Sequence, residues 1–278
     1  MPPTRPGPPD LAGLALTGAT LALAMFGIET VGRHVVPGWM SAVALLCGAG
    51  AGVLAVRHMR GRARPAVDLS LFRIATFRDP AVAGSIFRTG AGAVPFLVPV
   101  MLQIGFGMSA SQSGFVSFAT ALGAFAMKPL VRPLLRHTGF RAALMGNGVV
   151  AAAGIAALAL LTPAWPAAAI FLLLAAGGLA RSLQFTALNT LAFADVPAER
   201  MSAATALYGT LQQVTPALGV VLATTTLEAS LALSGRGALG VADFSAGFLV
   251  AAAVVLASVP LHARLARDAG AEVSGHRR

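Results

Sequence analysis

The sequence has 278 residues, of which 56% are hydrophobic and only 11% are charged. An average soluble domain is about 25% charged, so too few polar side chains are present to cover a surface that faces water. A disordered chain needs the opposite balance, and a single cysteine excludes an intrachain disulfide framework. These numbers indicate a membrane protein. The formal net charge of +10 would also suit a nucleic-acid-binding protein, and the positions of the basic residues decide between the two.

Several apolar segments are long enough to cross a bilayer, whose core of about 30 Å needs roughly 20 residues per helix. The alternating segments of about ten residues that build β-barrels do not occur in the sequence. The predicted spans are residues 11–28, 38–56, 81–105, 110–127, 141–161, 164–188, 201–224 and 243–262. The first of them loosely resembles a signal peptide, but it follows only one basic residue. We predict an all-α polytopic membrane protein with about eight transmembrane helices.

The basic residues cluster on one side of this arrangement. Sixteen of the 20 fall there, in segments 57–78 and 128–141, before the seventh span and in the two tails. By the positive-inside rule both termini are expected in the cytoplasm, with the protein in a bacterial-type inner (plasma) membrane. A bilayer topology thus accounts for the charge of +10, and we expect no nucleic-acid partner. Anionic lipid headgroups are the expected partner of segment 57–78.

Two arginines, Arg88 and Arg181, lie inside predicted spans. An arginine at the bilayer centre costs about 2.5 to 3.5 kcal/mol, so such a residue faces protein or a water-filled cavity. Two interpretations stay open. Each arginine lines a cavity or gate, or each snorkels toward the interface and bonds backbone carbonyls.

Polar residues recur at helical spacing in three predicted spans. On the third span, Gly84, Arg88, Gly92, Pro95, Pro99 and Gln103 share an arc of about 100°, with a kink expected at Pro95 and Pro99. On the seventh span, Tyr208 shares a face with Thr205, Gln212, Thr215 and Gly219. The candidates for a substrate cavity or gate are Arg88, Gln103, Arg181, Gln184, Asn189, Tyr208 and Gln212. Interhelical hydrogen bonding without a ligand is the alternative.

Groups for catalysis or metal binding are not apparent in the sequence. No acidic residue lies well inside a predicted span, and no Ser/His/Asp or Glu/His arrangement shares a membrane depth. The histidines His34, His58, His137, His262 and His276 show no metal-ligand spacing. A Walker loop is also missing. We therefore expect no enzyme activity, no metal and no cofactor.

Four stretches resemble one transporter family. They are FRTGAGAVPFLVPVMLQIGFGMSASQSG (87–114), KPLVRPLLRHTGFR (128–141), RSLQFTALNTLAFADVPAERMSAATALYGTLQQ (181–213) and the two spans and basic loop of 10–72, which end in LSLFR. Together they resemble the second part of the fourteen-span drug:proton antiporter branch of the major facilitator superfamily. The second stretch is similar to a degenerate copy of the family's cytoplasmic loop motif, carried here by Lys128, Arg132, Arg136, Gly139 and Arg141. It lacks the Asp of the full motif.

The resemblance implies a domain organisation. Residues 1–10 would be a cytoplasmic tail, 11–56 an extra central helix pair and 57–80 a basic cytoplasmic linker. Residues 81–264 would form one six-helix bundle of two inverted repeats with a substrate cavity near the midplane, and 265–278 a second cytoplasmic tail.

The resemblance also implies a function. We expect a transmembrane transporter that exports small amphipathic compounds or drugs in exchange for protons. It would be present as an incomplete C-terminal part, because in the family the first six spans carry the antiporter motif and the acid that couples drug to proton. Expected partners are the lipid bilayer, a small-molecule substrate and, if a first bundle completes the chain, protons. The alternative is a non-transporting scaffold or partner subunit that docks with a separate N-terminal half, and a homodimer is a third possibility.

Overall fold

The computed structural model describes residues 10–30, 36–60 and 68–276, and all regular structure in these ranges is helical. The helices are α1 (Leu11–Thr30), α2 (Gly38–Arg60), α3 (Ala75–Val100), α4 (Ala110–Leu158), α5 (Ala167–Leu191), α6 (Met201–Ser234), α7 (Val241–His262) and the short α8 (Ala271–Ser274). Residues 1–9 of the predicted tail 1–10 lie outside the described residues, as do six of the basic residues counted above: Arg5, Arg33, Arg62, Arg64, Arg277 and Arg278.

Six of the described helices, α2 to α7, are long and apolar enough to cross a membrane. Helix α1 contains a shorter apolar stretch, Ala15–Gly27. The range of α4 contains two helices, residues 110–138 and 140–158, which meet at a kink at Gly139, and each is about as long as the bilayer core or longer. The chain is therefore an all-α, multi-pass membrane protein, as the composition predicts.

Helix α4 contains two spans in this region, as predicted, but residues 128–138 of the predicted loop 128–141 are helical. The helix continues through Pro129 and Pro133 and is interrupted only at Gly139, where φ is 72° and ψ is 165°. A proline breaks a helix by freeing a carbonyl, but both prolines lie on the exposed surface, where other groups can bond to the freed carbonyls. Gly139 provides the break because a positive φ strains any residue that has a Cβ.

Helix α3 begins at Ala75, six residues before the predicted start at residue 81. Its first turn is set by Ile74, whose carbonyl accepts from the backbone N–H of Arg78 at 2.8 Å. The charges of Arg78 and Asp79 interrupt the apolar run and so hide this turn in the sequence. Asp79 consequently belongs to a membrane-crossing helix and not to the linker.

Close backbone contacts hold the bundle together. Helix α4 crosses α5 at Gly123 and Gly178, where an added Cβ would overlap the carbonyl oxygens of Ala175 and Thr120 respectively. Such small-residue crossings let helices approach closely in a membrane, where the hydrophobic effect does not drive them together. Helix α3 packs against α6 and α7, α4 packs against α5 and α7, and α1 packs mainly against α2.

The helices alternate in direction, which gives the bundle two chemically different ends. At one end the start of α3 meets the segment after α5, since the Thr76 hydroxyl donates to Asp195 Oδ2 at 2.9 Å. At the other end the Ser245 hydroxyl, near the start of α7, donates to the Ala159 carbonyl after α4 at 2.8 Å. We call the first the basic end, because it carries Arg78, Lys128, Arg132, Arg136, Arg141, Arg200, Arg264 and Arg267. The second is the Arg236 end.

Candidate functional site

Arg88 lies at the centre of a hydrogen-bonded network that joins three helices. Its guanidinium is 2% exposed and donates from Nη2 to Tyr208 Oη at 2.6 Å and to Asn189 Oδ1 at 2.9 Å. A longer contact of 3.4 Å runs from Nη1 to the Pro80 carbonyl. The network thus connects α3 to α5 and α6, and three of the candidate residues predicted on separate spans meet here.

Aromatic rings surround the same guanidinium. The Cζ atom of Arg88 lies 5.0 Å from the ring centre of Tyr208 and 5.5 Å from that of Phe185. No ion pair in the described part of the chain involves Arg88. A buried cation held by neutral acceptors and aromatic faces gains from cation–π attraction, which is worth about 2 kcal/mol when desolvated. The arrangement leaves the positive charge of Arg88 uncompensated by a contacting carboxylate.

A second buried network links α3, α7, α5 and α4. His262, which is fully buried at the end of α7, bonds through Nδ1 to Asp79 Oδ2 at 2.7 Å. Its other ring nitrogen faces Gln184 Nε2 at 3.5 Å. Gln184 is itself fully buried, and its Oε1 accepts from Asn147 Nδ2 at 2.7 Å. A carboxylate, an imidazole and two amides therefore form one continuous chain inside the bundle.

This network corrects the prediction that all acidic residues outside span ends lie in loops or tails. Asp79 is an acidic residue inside a membrane-crossing helix, and it shares its depth with His262. The sequence prediction failed because it started α3 too late. The sequence contained one indication of the earlier start of α3. In a helix that begins at Ala75, Asp79 shares a face with Ala83 and Gly90, both of which are buried.

Arg181 lies apart from both networks. It is partly exposed and lines a cavity of about 40 Å³ between α3, α4 and α5, together with Phe87, Thr120 and Leu158. Within the described residues it makes no hydrogen bond or ion pair. A water needs at least about 10 to 15 Å³, so the cavity has space for a few waters and not for a drug-sized compound.

Gln103 and Gln212 are exposed and do not join the Arg88 network. Gln103 donates to the carbonyl of Pro99 at 3.1 Å. Helix α3 runs through Pro95 and changes after Pro99 to a π-helical turn, Met101–Gly105. The Ser113 hydroxyl also donates to the Pro99 carbonyl, at 3.2 Å. The structure thus places the predicted irregularity directly after Pro99.

The residues of the loop motif lie on α4 at the basic end. Lys128, Arg132 and Arg136 are exposed, and Arg141 is partly exposed. Arg132 and Arg136 line an open groove of about 800 Å³ together with Glu272. The helix break at Gly139 is covered by the C-terminal segment, because His276 Nδ1 contacts the Arg136 carbonyl at 2.8 Å.

An ion pair outside the spans fastens the segment before α3 to the one before α6. Arg200 Nη2 lies 2.8 Å from Asp68 Oδ2, and the Ser70 hydroxyl and backbone N–H donate to Asp68 Oδ1 at 2.6 and 3.0 Å. Partial burial raises the pKa of Asp68, but the hydrogen bonds from Ser70 and Arg200 outweigh it, so the pKa lies below its usual value.

The Arg236 end has its own buried carboxylate. Asp243 in the first turn of α7 is fully buried and accepts from Arg236 Nη2 at 2.7 Å, Ser230 Oγ at 2.5 Å and the Gly240 N–H at 2.8 Å. Its hydrogen bond to Gly240 caps the helix.

Comparison with known proteins identifies the family. The sequence pattern of the Major Facilitator Superfamily matches residues 55–220. The chain belongs to this superfamily. That result confirms the prediction made from the four stretches above.

Three bacterial relatives carry the name "Putative multidrug resistance protein MdtD". The chain is 32% identical to the one from Klebsiella pneumoniae subsp. pneumoniae over 221 residues, 31% to that of Serratia proteamaculans over 226 and 30% to that of Salmonella heidelberg over 221. Each match covers 77% of this chain and 45% or 46% of the relative. The chain thus spans about half the length of these relatives, whose names agree with the drug-resistance branch predicted from the motifs.

Proposed function

We propose that this facilitator chain contributes the second bundle and the preceding helix pair to a proton-coupled exporter of small amphipathic compounds. The observation that supports the proposal most strongly is the similarity to relatives named for multidrug resistance, together with membership of the superfamily. Transport by this fold requires two bundles that rock about a shared site. The bundle described here would therefore act together with a first bundle.

The proposed orientation has the basic end in the cytoplasm. Arg78, Arg264 and the exposed basic residues of α4 all lie there, whereas Arg236 lies at the opposite end. Basic residues near helix ends favour the cytoplasmic side during insertion, and anionic headgroups of the inner leaflet attract them.

Arg88 is the proposed gate residue of this bundle. Its bonds to Asn189 and Tyr208 hold α3, α5 and α6 together toward the basic end. A substrate that offers an acceptor or an aromatic face could replace one of these neutral partners without leaving the buried cation unsatisfied. Gln184, Arg181, Gln103 and Gln212 remain candidate contacts for the substrate in a conformation with an open cavity.

A chimera tests the proposal. This chain replaces the matching segment of the Klebsiella relative, and efflux of a fluorescent amphipathic cation from everted vesicles is measured with and without a protonophore. We expect proton-dependent efflux from the chimera and none from the isolated chain. Efflux from the isolated chain would contradict the need for a first bundle. A folded, inserted chimera that stays inactive while the relative transports the dye would contradict the transport proposal.

A matched pair of chimera variants tests the role of Arg88. Arg88→Leu is expected to insert normally, because it removes the insertion cost of a charge, but to reduce efflux at least tenfold. Arg267→Gln removes an exposed charge after α7 and should leave efflux within about twofold, because an exposed site contributes little. Equal efflux from the two variants would remove Arg88 from the proposed gate. Binding of a separate first bundle without any efflux would instead favour the scaffold alternative.

A further inference from the structure

The buried network of Asp79, His262, Gln184 and Asn147 fixes the orientation of both amides. Asn147 donates from Nδ2 to the carbonyl of Ala180 at 2.8 Å, so its nitrogen, not its oxygen, also faces Gln184. The Gln184 atom in contact with it must then be the acceptor Oε1, at 2.7 Å. The Gln184 nitrogen in turn donates to the Leu144 carbonyl at 3.2 Å. Two backbone carbonyls of α4 and α5 thus determine how the Gln184 amide is turned.

This orientation determines the tautomer of His262. The second N–H of the Gln184 amide faces His262 Nε2 at 3.5 Å, so Nε2 has to offer a lone pair. The ring proton then lies on Nδ1 and points to the Asp79 carboxylate at 2.7 Å. In this hydrogen-bond pattern the acceptor nitrogen of the imidazole is buried against an amide donor.

We propose that His262 binds a proton on Nε2 and that this proton forces the Gln184 amide to turn. The proton comes from a solvent hydronium ion, whose O–H bond breaks to leave water as the new N–H bond forms at the Nε2 lone pair. Asp79 stays ionised, so the net charge of the pair changes from −1 to 0. Two N–H groups would then face each other, and Gln184 relieves the clash only by presenting Oε1 to His262. It thereby gives up its bonds to Asn147 and Leu144 on α4.

The pair borders an open cleft at the basic end on its Asp79 side. A cleft of about 240 Å³ opens between α3 and the end of α7, lined by Asp79, Val82, Leu261 and Arg264. Asp79 lies at its inner wall and is 9% exposed, while His262 is fully buried behind it. The carboxylate is therefore the point of contact between the cleft and the imidazole.

The charged groups around the pair come from several elements. Arg78 and Arg264 line the cleft and are exposed, so water screens their effect on the pair. On α3 the nearest buried cation is Arg88, which is bonded to Tyr208 of α6, and Asp195 after α5 accepts from Thr76. Helices α4 and α5 offer neutral amides, Asn147 and Gln184. Among the described residues, Asp79 is the carboxylate in contact with His262, and the three cations lie around the pair without bonding to it.

The proton site would couple α7 to the pair of α4 and α5. Any use of this coupling in transport rests on the proposed function, but proton binding itself does not, since it needs neither a substrate nor a first bundle. A test on the isolated chain therefore fails or succeeds independently of the efflux experiment.

The test is ¹⁵N NMR of the full chain in lipid nanodiscs, with histidine and glutamine labelled. The His262 signal is the one missing in His262→Gln, and the Gln184 side-chain signal is the one missing in Gln184→Glu. We expect the His262 signal to change from that of the Nδ1–H tautomer to that of the doubly protonated ring as the pH is lowered through the recorded range. The Gln184 amide signal should shift with the same midpoint. A His262 ring that stays neutral, or that titrates without the Gln184 signal, would overturn the proposal.

Two further variants test the proposal by changing the two side chains that contact His262. Gln184→Glu offers an acceptor to a protonated Nε2, so the doubly protonated ring should persist to a pH higher by about one unit or more. Asp79→Asn removes the carboxylate and should abolish the imidazolium in the same range. The matched controls are Gln212→Glu, an exposed glutamine, and His137→Gln, an exposed histidine, and neither should move the His262 midpoint. An unchanged midpoint in Gln184→Glu would contradict the proposal even if Asp79→Asn fails to fold.

Discussion

A buried carboxylate lies at each end of α7, Asp243 of α7 itself at the start and Asp79 of α3 at the end, and the two have different partners. At the start of the helix Asp243 bonds to Arg236, whose charge is permanent. At the end of the helix His262 bonds to Asp79, and a histidine changes its charge near neutral pH. The comparison shows that the partner decides what a buried acid does in this protein. Asp243, paired with arginine, holds a fixed ion pair at the start of α7. Asp79, paired with histidine, forms part of the proposed proton site.

The largest expected effect on stability concerns Asp243, which bonds to Arg236 at the start of α7. Asp243→Ala removes the acceptor of three donors and the cap of α7, so we expect a loss of about 3 kcal/mol in the free energy of unfolding. Reversible unfolding in mixed detergent measures it. Arg236→Gln is the control, and because Arg236 is largely exposed the variant should lose about 1 kcal/mol or less. Equal losses in the two variants would mean that the ion pair, and not the hydrogen bonds to Ser230 and Gly240, carries the effect.

An intermediate effect on stability is expected for Tyr208, the hydrogen-bond partner of Arg88. Tyr208→Phe deletes the hydroxyl that accepts from Arg88 at 2.6 Å, leaving a buried charged donor with one partner fewer. We expect a loss of about 2 kcal/mol, measured in the same detergent assay. Thr205→Val, at an exposed position of the same helix, should change stability by less than about 0.5 kcal/mol. A neutral Tyr208→Phe would show that cation–π contacts alone satisfy Arg88.

The smallest effect concerns Asp68, an acid at the basic end whose partner is again an arginine but which is partly exposed. Its lowered pKa means that Asp68 stabilises the fold at pH values above the unfolded pKa of about 3.9 and loses this contribution as the pH falls through the folded pKa. Asp68→Asn should therefore flatten the fall of thermal stability below about pH 4. Thermal unfolding at several pH values measures the slope, with Asp268→Asn as the exposed control. An unchanged slope in Asp68→Asn would argue against the ion pair with Arg200.

Helical periodicity predicted part of the Arg88 network. It placed Arg88, Asn189 and Tyr208 on polar faces of their spans, and the structure brings these three residues together. It grouped Gln103 and Gln212 with them, yet both are exposed. Periodicity gives the face of a helix on which a residue lies. It does not give the height along the helix axis at which that face contacts a neighbouring helix. That height depends on crossings such as the close contact of Gly92 with Pro216 on α6.

The sequence by itself determined the class, the family and the distribution of charge. Composition requires a membrane environment, span length predicts the helices, and the motifs identify the superfamily, because all three are local properties of the chain. Only the tertiary structure decided that Asp79 belongs inside α3 and that it meets His262, 183 residues away. A pairing over that distance depends on where α3 begins and on how α7 returns to the basic end. Neither is encoded in a local pattern, since the packing of the whole bundle fixes both.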